Sequence, residues 1–143
     1  MGFPDRIERT VRIGRAPEVV WDALTTAEGL ASWFGDRAEI DLRPGGAARL
    51  MWTDVGKDAE LRVERVEPPH LFAFTWPMDG VPSGDPRRSY VEFTLVADGE
   101  GTLLTVVETG FAQLDGAHHR TAYDGHVEGW GRELGELVDA LAA

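Results

Sequence analysis

The sequence predicts an α+β fold: a curved antiparallel sheet of six to seven strands around a long C-terminal helix, with two short helices after the first strand. Three observations predict it. Short segments of alternating apolar residues recur along most of the chain, punctuated by Gly and Pro. Tyr123, Val127, Trp130, Leu134, Leu137 and Leu141 repeat at spacings of four and three, which makes one continuous helical stripe. Between the first strand and the rest lies "PEVVWDALTTAEGLASWFGD", apolar at helical spacing and ending in Trp33-Phe34-Gly35.

Each element follows from local chemistry. "RIERTVRI" alternates, with Ile7, Val11 and Ile13 on one parity and Arg9 on the same parity. Pro17 suits the first turn of a helix, where its missing N–H costs nothing, and Val20, Trp21 and Leu24 form that helix's stripe. Thr26 is placed to cap a second short helix carrying Leu30, Trp33 and Phe34 inward, with Gly29 weakening it. From residue 37 the period is two. "AEIDL" presents Ala38, Ile40 and Leu42; after the "RPGG" turn, "AARLMWT" presents Ala48, Leu50 and Trp52. In "AELRVERVE", Val63 and Val66 differ in parity, which predicts an irregularity. "PPH" makes a turn, "LFAFTW" aligns Phe72, Phe74 and Trp76, and "PMDGVPSGDP" is a polar loop. "SYVEFTLV" aligns Val91, Phe93 and Leu95; after "ADGEG", "TLLTVVETG" carries Leu104, Val106 and then Glu108 on one parity. The closing helix, expected over about residues 117–141, holds Gly125, Gly129, Gly131 and Gly135, which either admit a close backbone or keep space open.

Composition bounds the function. The 143 residues are expected to form one domain, residues 1–143, able to bury a core without staples. The absence of cysteine excludes disulfides, thiolate metal sites and a cysteine nucleophile. No window reaches the length of a membrane span and no signal-peptide run opens the chain, so a cytoplasmic protein without membrane insertion is expected. The formal charge of −11, from 14 basic and 25 acidic residues, repels phosphate backbones, so no nucleic-acid partner is expected. A sheet covered by one long helix is hard to fill completely, and the inner-parity aromatics would line whatever space remains.

The opening "APEVVWDALTTAEGLASWFG", then "EIDLRPGG", "VEPPHLFAFTW", "GTLLTVVETGF" and "HVEGWGRELGELVDAL" resemble, in order, the landmarks of the heat-shock-protein-90 ATPase activator-homologue (AHSA-like) family. The resemblance covers about residues 6–142. That family belongs to the START-like, or birch-pollen-allergen-like, superfamily. The resemblance implies the helix-grip fold, a cavity between sheet and helix, and Trp33-Phe34 at the cavity wall. The superfamily includes lipid carriers, polyketide cyclases, hormone receptors and co-chaperone domains, and fold does not fix function.

The candidate cavity lining is Trp33, Phe34, Trp52, Phe72, Phe74, Trp76, Phe93, His126 and Trp130. The same aromatics could equally meet and fill the core, with Trp33 and Phe34 capping it. The cavity is expected to open near Trp33-Phe34 and the 77–89 loop. In the helix-grip order the first and last strands are neighbours, so Arg9 and Glu108 are expected either to form an inward-facing ion pair, with Glu133 as a third polar anchor, or to sit near strand ends and reach solvent. His126, one turn before Trp130, could orient a carbonyl or act as a base, or could be an ordinary core-edge histidine. His118 and His119 are adjacent and point different ways on a helix, so no metal site and no cofactor are expected. There is no G-x-S-x-G, Walker loop or H-E-x-x-H, and a catalytic role would rest on His126 or Glu108. The leading expectation is a binder of an apolar or aromatic small molecule. A protein-interaction or co-chaperone-like module with a protein partner is the alternative, and a cyclase- or hydrolase-like enzyme a further one.

Overall fold

A computed structural model describes residues 5–77, 86–114 and 116–142. The element order is β1 (Arg6–Ile13), α1 (Pro17–Thr25), α2 (Ala27–Ala31), β2 (Arg37–Ile40), β3 (Ala47–Trp52), β4 (Lys57–Glu67), β5 (Leu71–Pro77), β6 (Arg88–Asp98), β7 (Gly101–Thr109) and α3 (Gly116–Leu141), with a 3-10 turn at Phe111–Gln113 before α3. The strands form one antiparallel sheet in the order β1-β7-β6-β5-β4-β3-β2. The expected helix-grip architecture is therefore present, with the first and last strands side by side.

The helical connection obeys its sequence. Pro17 opens α1, and Val20, Trp21, Ala23 and Leu24 are buried along one side. Thr26 caps α2 by accepting the Gly29 N–H at 2.9 Å. Gly29 is there for space: a Cβ at that position would stand 2.2 Å from the Asp22 carbonyl oxygen. The glycine that weakens a five-residue helix is the one that lets α2 fold back on α1. Gly35 solves the next problem. Its φ of +83° turns the chain out of Phe34, and a Cβ would sit 2.6 Å from the Met51 carbonyl oxygen of β3. The Trp33-Phe34-Gly35 sequence is thus two core rings followed by the turn that releases the chain into β2.

The strands match the parity reading with one difference. β2 ends at Ile40, and Leu42 is exposed beyond it. The irregularity expected in β4 falls between Val63 and Arg65, where the register to β5 shifts. On β6 and β7 the alternation is strict: Ser89, Val91, Phe93 and Leu95, and Leu104, Val106 and Glu108, are all buried. The stripe of α3 covers this face, with Trp130, Leu134 and Leu137 buried and Tyr123, Val127 and Leu141 packed against the same core. The glycines of α3 do not serve a close approach: a Cβ on Gly125, Gly129, Gly131 or Gly135 meets no atom within 4 Å. Gly125, Gly131 and Gly135 are exposed on the outer side of the helix.

Candidate functional site

Glu108 is the centre of the inner face. Its neighbours in register are Ile7 on β1 and Val91 on β6, both buried, and Glu108 itself is 0% exposed. A carboxylate in such surroundings needs hydrogen-bond donors. Four side chains from three elements supply them. His126 Nδ1 lies 2.7 Å from Oε1, and the Trp130 indole N–H donates to the same oxygen at 2.9 Å; both come from α3. The Ser89 hydroxyl of β6 donates to Oε2 at 2.6 Å, and the Trp76 indole N–H of β5 reaches Oε2 at 2.9 Å. Trp76 Nε1 also lies 2.7 Å from Ser89 Oγ, so its proton is shared between the two acceptors. Four donors match the lone-pair sites of an ionised carboxylate. Because a carboxylate only accepts, His126 donates to it through Nδ1–H.

Local folding explains the convergence. Trp76 and Ser89 are directly opposed across β5 and β6, so both point to the inner face. His126 and Trp130 are one helical turn apart and therefore share a face of α3. Aromatic rings close around this polar group. Phe34 stacks on Trp33 and meets Trp52, Trp76 and Trp130 at centroid distances of 5.6, 5.9 and 5.6 Å. Trp76 stacks on Trp130 at 5.9 Å and meets Phe74 edge-on. Phe93 joins Trp33, Phe72, Phe74 and Trp130. His126 packs edge-on against both Trp76 and Phe111. The His126 side chain is 13% exposed, and Trp76 and Trp52 are only partly buried, so the cluster reaches the surface on that side.

The nine aromatic and imidazole residues expected to line a cavity are thus brought together, and they touch one another. Depressions of about 750 and 470 Å³ lie elsewhere. The larger runs between α1, α2 and the end of α3, along Val19, Ala23, Ala27, Ser32 and Leu141. The smaller lies beside β3 and β4, among Arg49, Arg62 and Arg88. Trp33 and Phe34 are core residues, 2% and 3% exposed, and the Trp33 N–H is spent on the Ala23 carbonyl at 2.8 Å. The part of the expected opening at residues 78–85 falls outside the described residues.

The expected Arg9–Glu108 ion pair is absent. The parity reading was right about the strand, since Arg9 is opposite the buried Val106. However, β1 is the edge of the sheet, and the Arg9 side chain runs out to solvent, where Nη1 donates to the Glu8 carbonyl at 2.9 Å. Glu108 is satisfied by indole, hydroxyl and imidazole donors instead. Ser89 is the partner that sequence reasoning missed. The available signal was a polar residue two places before Val91, on the parity of Val91, Phe93 and Leu95.

Glu133, the third expected polar anchor, is buried at 6% exposure, one turn beyond Trp130 on α3. Its Oε1 is 3.6 Å from Arg132 Nη2, whereas Oε2 is buried with no hydrogen-bond partner. Burial, reinforced by the neighbouring Glu136 carboxyl, pushes the Glu133 carboxyl up to about 7. His119 is buried against Phe111 at the start of α3. The His118 side chain lies outside the described residues. Among the described residues no His, Asp and Glu cluster with metal-site geometry occurs, and no helix is long and apolar enough to cross a membrane.

An open antiparallel sheet closed by one long helix, with a polar group buried between them, defines a helix-grip domain. Residues 15–142 match the family described as activator of Hsp90 ATPase homolog 1-like protein, and the chain belongs to that family. Among solved structures, protein MLL2253 from Mesorhizobium loti is 27% identical, with a TM-score of 0.80, covering 95% of this chain and 96% of that one. DynU16, from the dynemicin biosynthetic locus, is 25% identical at a TM-score of 0.80; the match covers 97% of this chain but 48% of DynU16. PFC0360w, an Hsp90 activator from Plasmodium falciparum, is 21% identical at a TM-score of 0.74 over 94% of each chain, a likeness of fold. No curated protein matches the sequence.

Proposed function

We propose that this chain binds an apolar or aromatic small molecule at the ring cluster around Glu108, with Trp52, Trp76, Trp130 and His126 forming the contact wall. The observation that carries the reading is the fully buried carboxylate with four side-chain donors inside an aromatic core. Stability alone does not call for such a group, because apolar residues of similar volume often do as well or better. Ligand sites, by contrast, are mostly apolar with a few fixed polar groups. Glu108 holds His126 and both indoles in set orientations at the point where the cluster reaches solvent, which is what positions a wall for a ligand. Entry requires the partly exposed Trp52 and Trp76 to swing away from Phe34. Fluorescence titration with the neutral probe N-phenyl-1-naphthylamine tests this. Saturable quenching of the tryptophans, weakened at least tenfold by Trp76→Ala, is expected; no quenching at any probe concentration rejects the reading.

A second reading is a protein-interaction module of the co-chaperone kind. The mutual contact of the rings favours it, because a filled interior leaves the outer surface to bind. The depression along Val19, Ala23, Ala27 and Leu141 is then the candidate surface. Stimulation of an Hsp90 ATPase by the chain, lost with Ala23→Glu and kept with Trp76→Ala, would select this reading over the first.

A further inference from the structure

We infer that the ligand is a protonated amine carried on a flat apolar body, and that Glu133 is its anchor. This rests on the small-molecule reading above and deepens it. The polar inventory of the cluster decides the ligand's chemistry. The N–H of Trp130 and the O–H of Ser89 are spent on Glu108, and that of Trp76 is shared between Glu108 and Ser89. Glu108 in turn has both oxygens occupied. The buried group left over is an acceptor, Glu133 Oε2, which has no hydrogen-bond partner. Glu133 follows Trp130 by three residues and His126 by seven, so it lies on the same side of α3 as the ring wall, one turn further on.

A buried acceptor without a donor is costly to leave, and a ligand N–H removes that cost. An ammonium does so best. Its hydrogen bond to a carboxylate is charge-assisted. The faces of Trp52, Trp76 and Trp130 attract a cation near them. The chain's net charge of −11 draws cations from solution. An anionic ligand would meet two carboxylates of its own sign. The neighbouring Arg132 does not already fill the role: its closest approach to Glu133 is 3.6 Å, on the other oxygen, and its side chain is 64% exposed.

The test compares 2-naphthylmethylamine with 2-naphthalenemethanol, near-isosteres differing in a charged amine, by tryptophan quenching at about pH 8, where Glu133 is mostly ionised. The amine should bind at least tenfold tighter than the alcohol. Glu133→Gln should bring the amine down to the alcohol's affinity and leave the alcohol unchanged. Glu133→Met should do the same, with thermal melts confirming that both variants fold. Glu136→Gln, at the exposed neighbour, should keep the amine's preference to within about threefold of wild type. Equal binding of the two probes by the wild type, or an amine preference that survives in both Glu133 variants, overturns the inference while leaving small-molecule binding intact. Failure of both probes to bind would remove the small-molecule reading itself and this inference with it.

Discussion

Replacing Glu108 separates what its charge contributes from what its shape contributes. In Glu108→Gln the amide oxygen can stay with His126 Nδ1–H and Trp130 N–H, 2.7 and 2.9 Å away. The amide NH2 then faces Ser89, whose hydroxyl can rotate to accept it, and Trp76 keeps Ser89 Oγ at 2.7 Å. Every donor except the Ser89 O–H retains a partner, and the loss is that one bond together with charge assistance, about 1–2 kcal/mol. In Glu108→Leu only the Trp76–Ser89 bond survives. The Trp130 N–H, the His126 N–H and the Ser89 hydroxyl lose their acceptor in a buried setting at roughly 1–3 kcal/mol each. Relief of carboxylate desolvation offsets part of this, leaving about 3–5 kcal/mol. Urea unfolding followed by tryptophan fluorescence measures both variants, and Trp76 and Trp130 report directly from the site. The leucine variant should be less stable than the glutamine variant by at least about 1.5 kcal/mol. A leucine variant equal to or more stable than wild type would refute the view that these donors depend on Glu108.

Four further outcomes follow from the same geometry. Trp130→Ala removes a ring that contacts Phe34, Trp76 and Phe93 and should cost about 3–5 kcal/mol in urea unfolding. Gly131→Ala and Gly135→Ala add a methyl group to exposed helical positions with nothing within 4 Å, so each should raise stability by about 0.5–1 kcal/mol and raise the melting temperature. Gly29→Ala, in contrast, should destabilise by more than that, because the new Cβ meets the Asp22 carbonyl oxygen at 2.2 Å. Glu133 has an ordinary value of 4.5 and a folded value of about 7, so between these the folded chain holds more protons than the unfolded one. Its contribution is therefore favourable at the acid end, lost as pH rises through 7, and Glu133→Gln should gain roughly 1–2 kcal/mol on wild type between about pH 4.5 and 8, after discounting for solvent screening.

Most of the fold was legible because its signals are local. Alternation on β5, β6 and β7 and the four-three stripe of α3 fix which residues face inward, and Pro17 and Thr26 mark the helix starts where the backbone needs them. The candidate site was half legible. Parity located Glu108 among apolar neighbours, and the helix stripe put His126, Trp130 and Glu133 on the covering face. Its partners were not legible, for two reasons. A charge on an apolar face suggests an opposite charge, yet indole, hydroxyl and imidazole groups satisfied Glu108, and parity cannot distinguish those solutions. Parity also says nothing about lateral position, so Arg9, on the correct face of an edge strand, escaped to water. Gly29 looked like a weakness in sequence and Gly35 only like the end of a helical segment, while the reason for both is contact with carbonyl groups remote in the local pattern, at Asp22 and Met51.

The central claim is that the Glu108 ring cluster holds a small molecule. Native mass spectrometry of the chain after incubation in extract of its own cells tests it most directly, run beside Trp76→Ala and Glu133→Gln. A discrete small-molecule adduct is expected on the wild type, diminished in both variants while their folded charge-state distributions are unchanged. Only the bare mass in all three samples, or an adduct of equal abundance in all three, would contradict the claim.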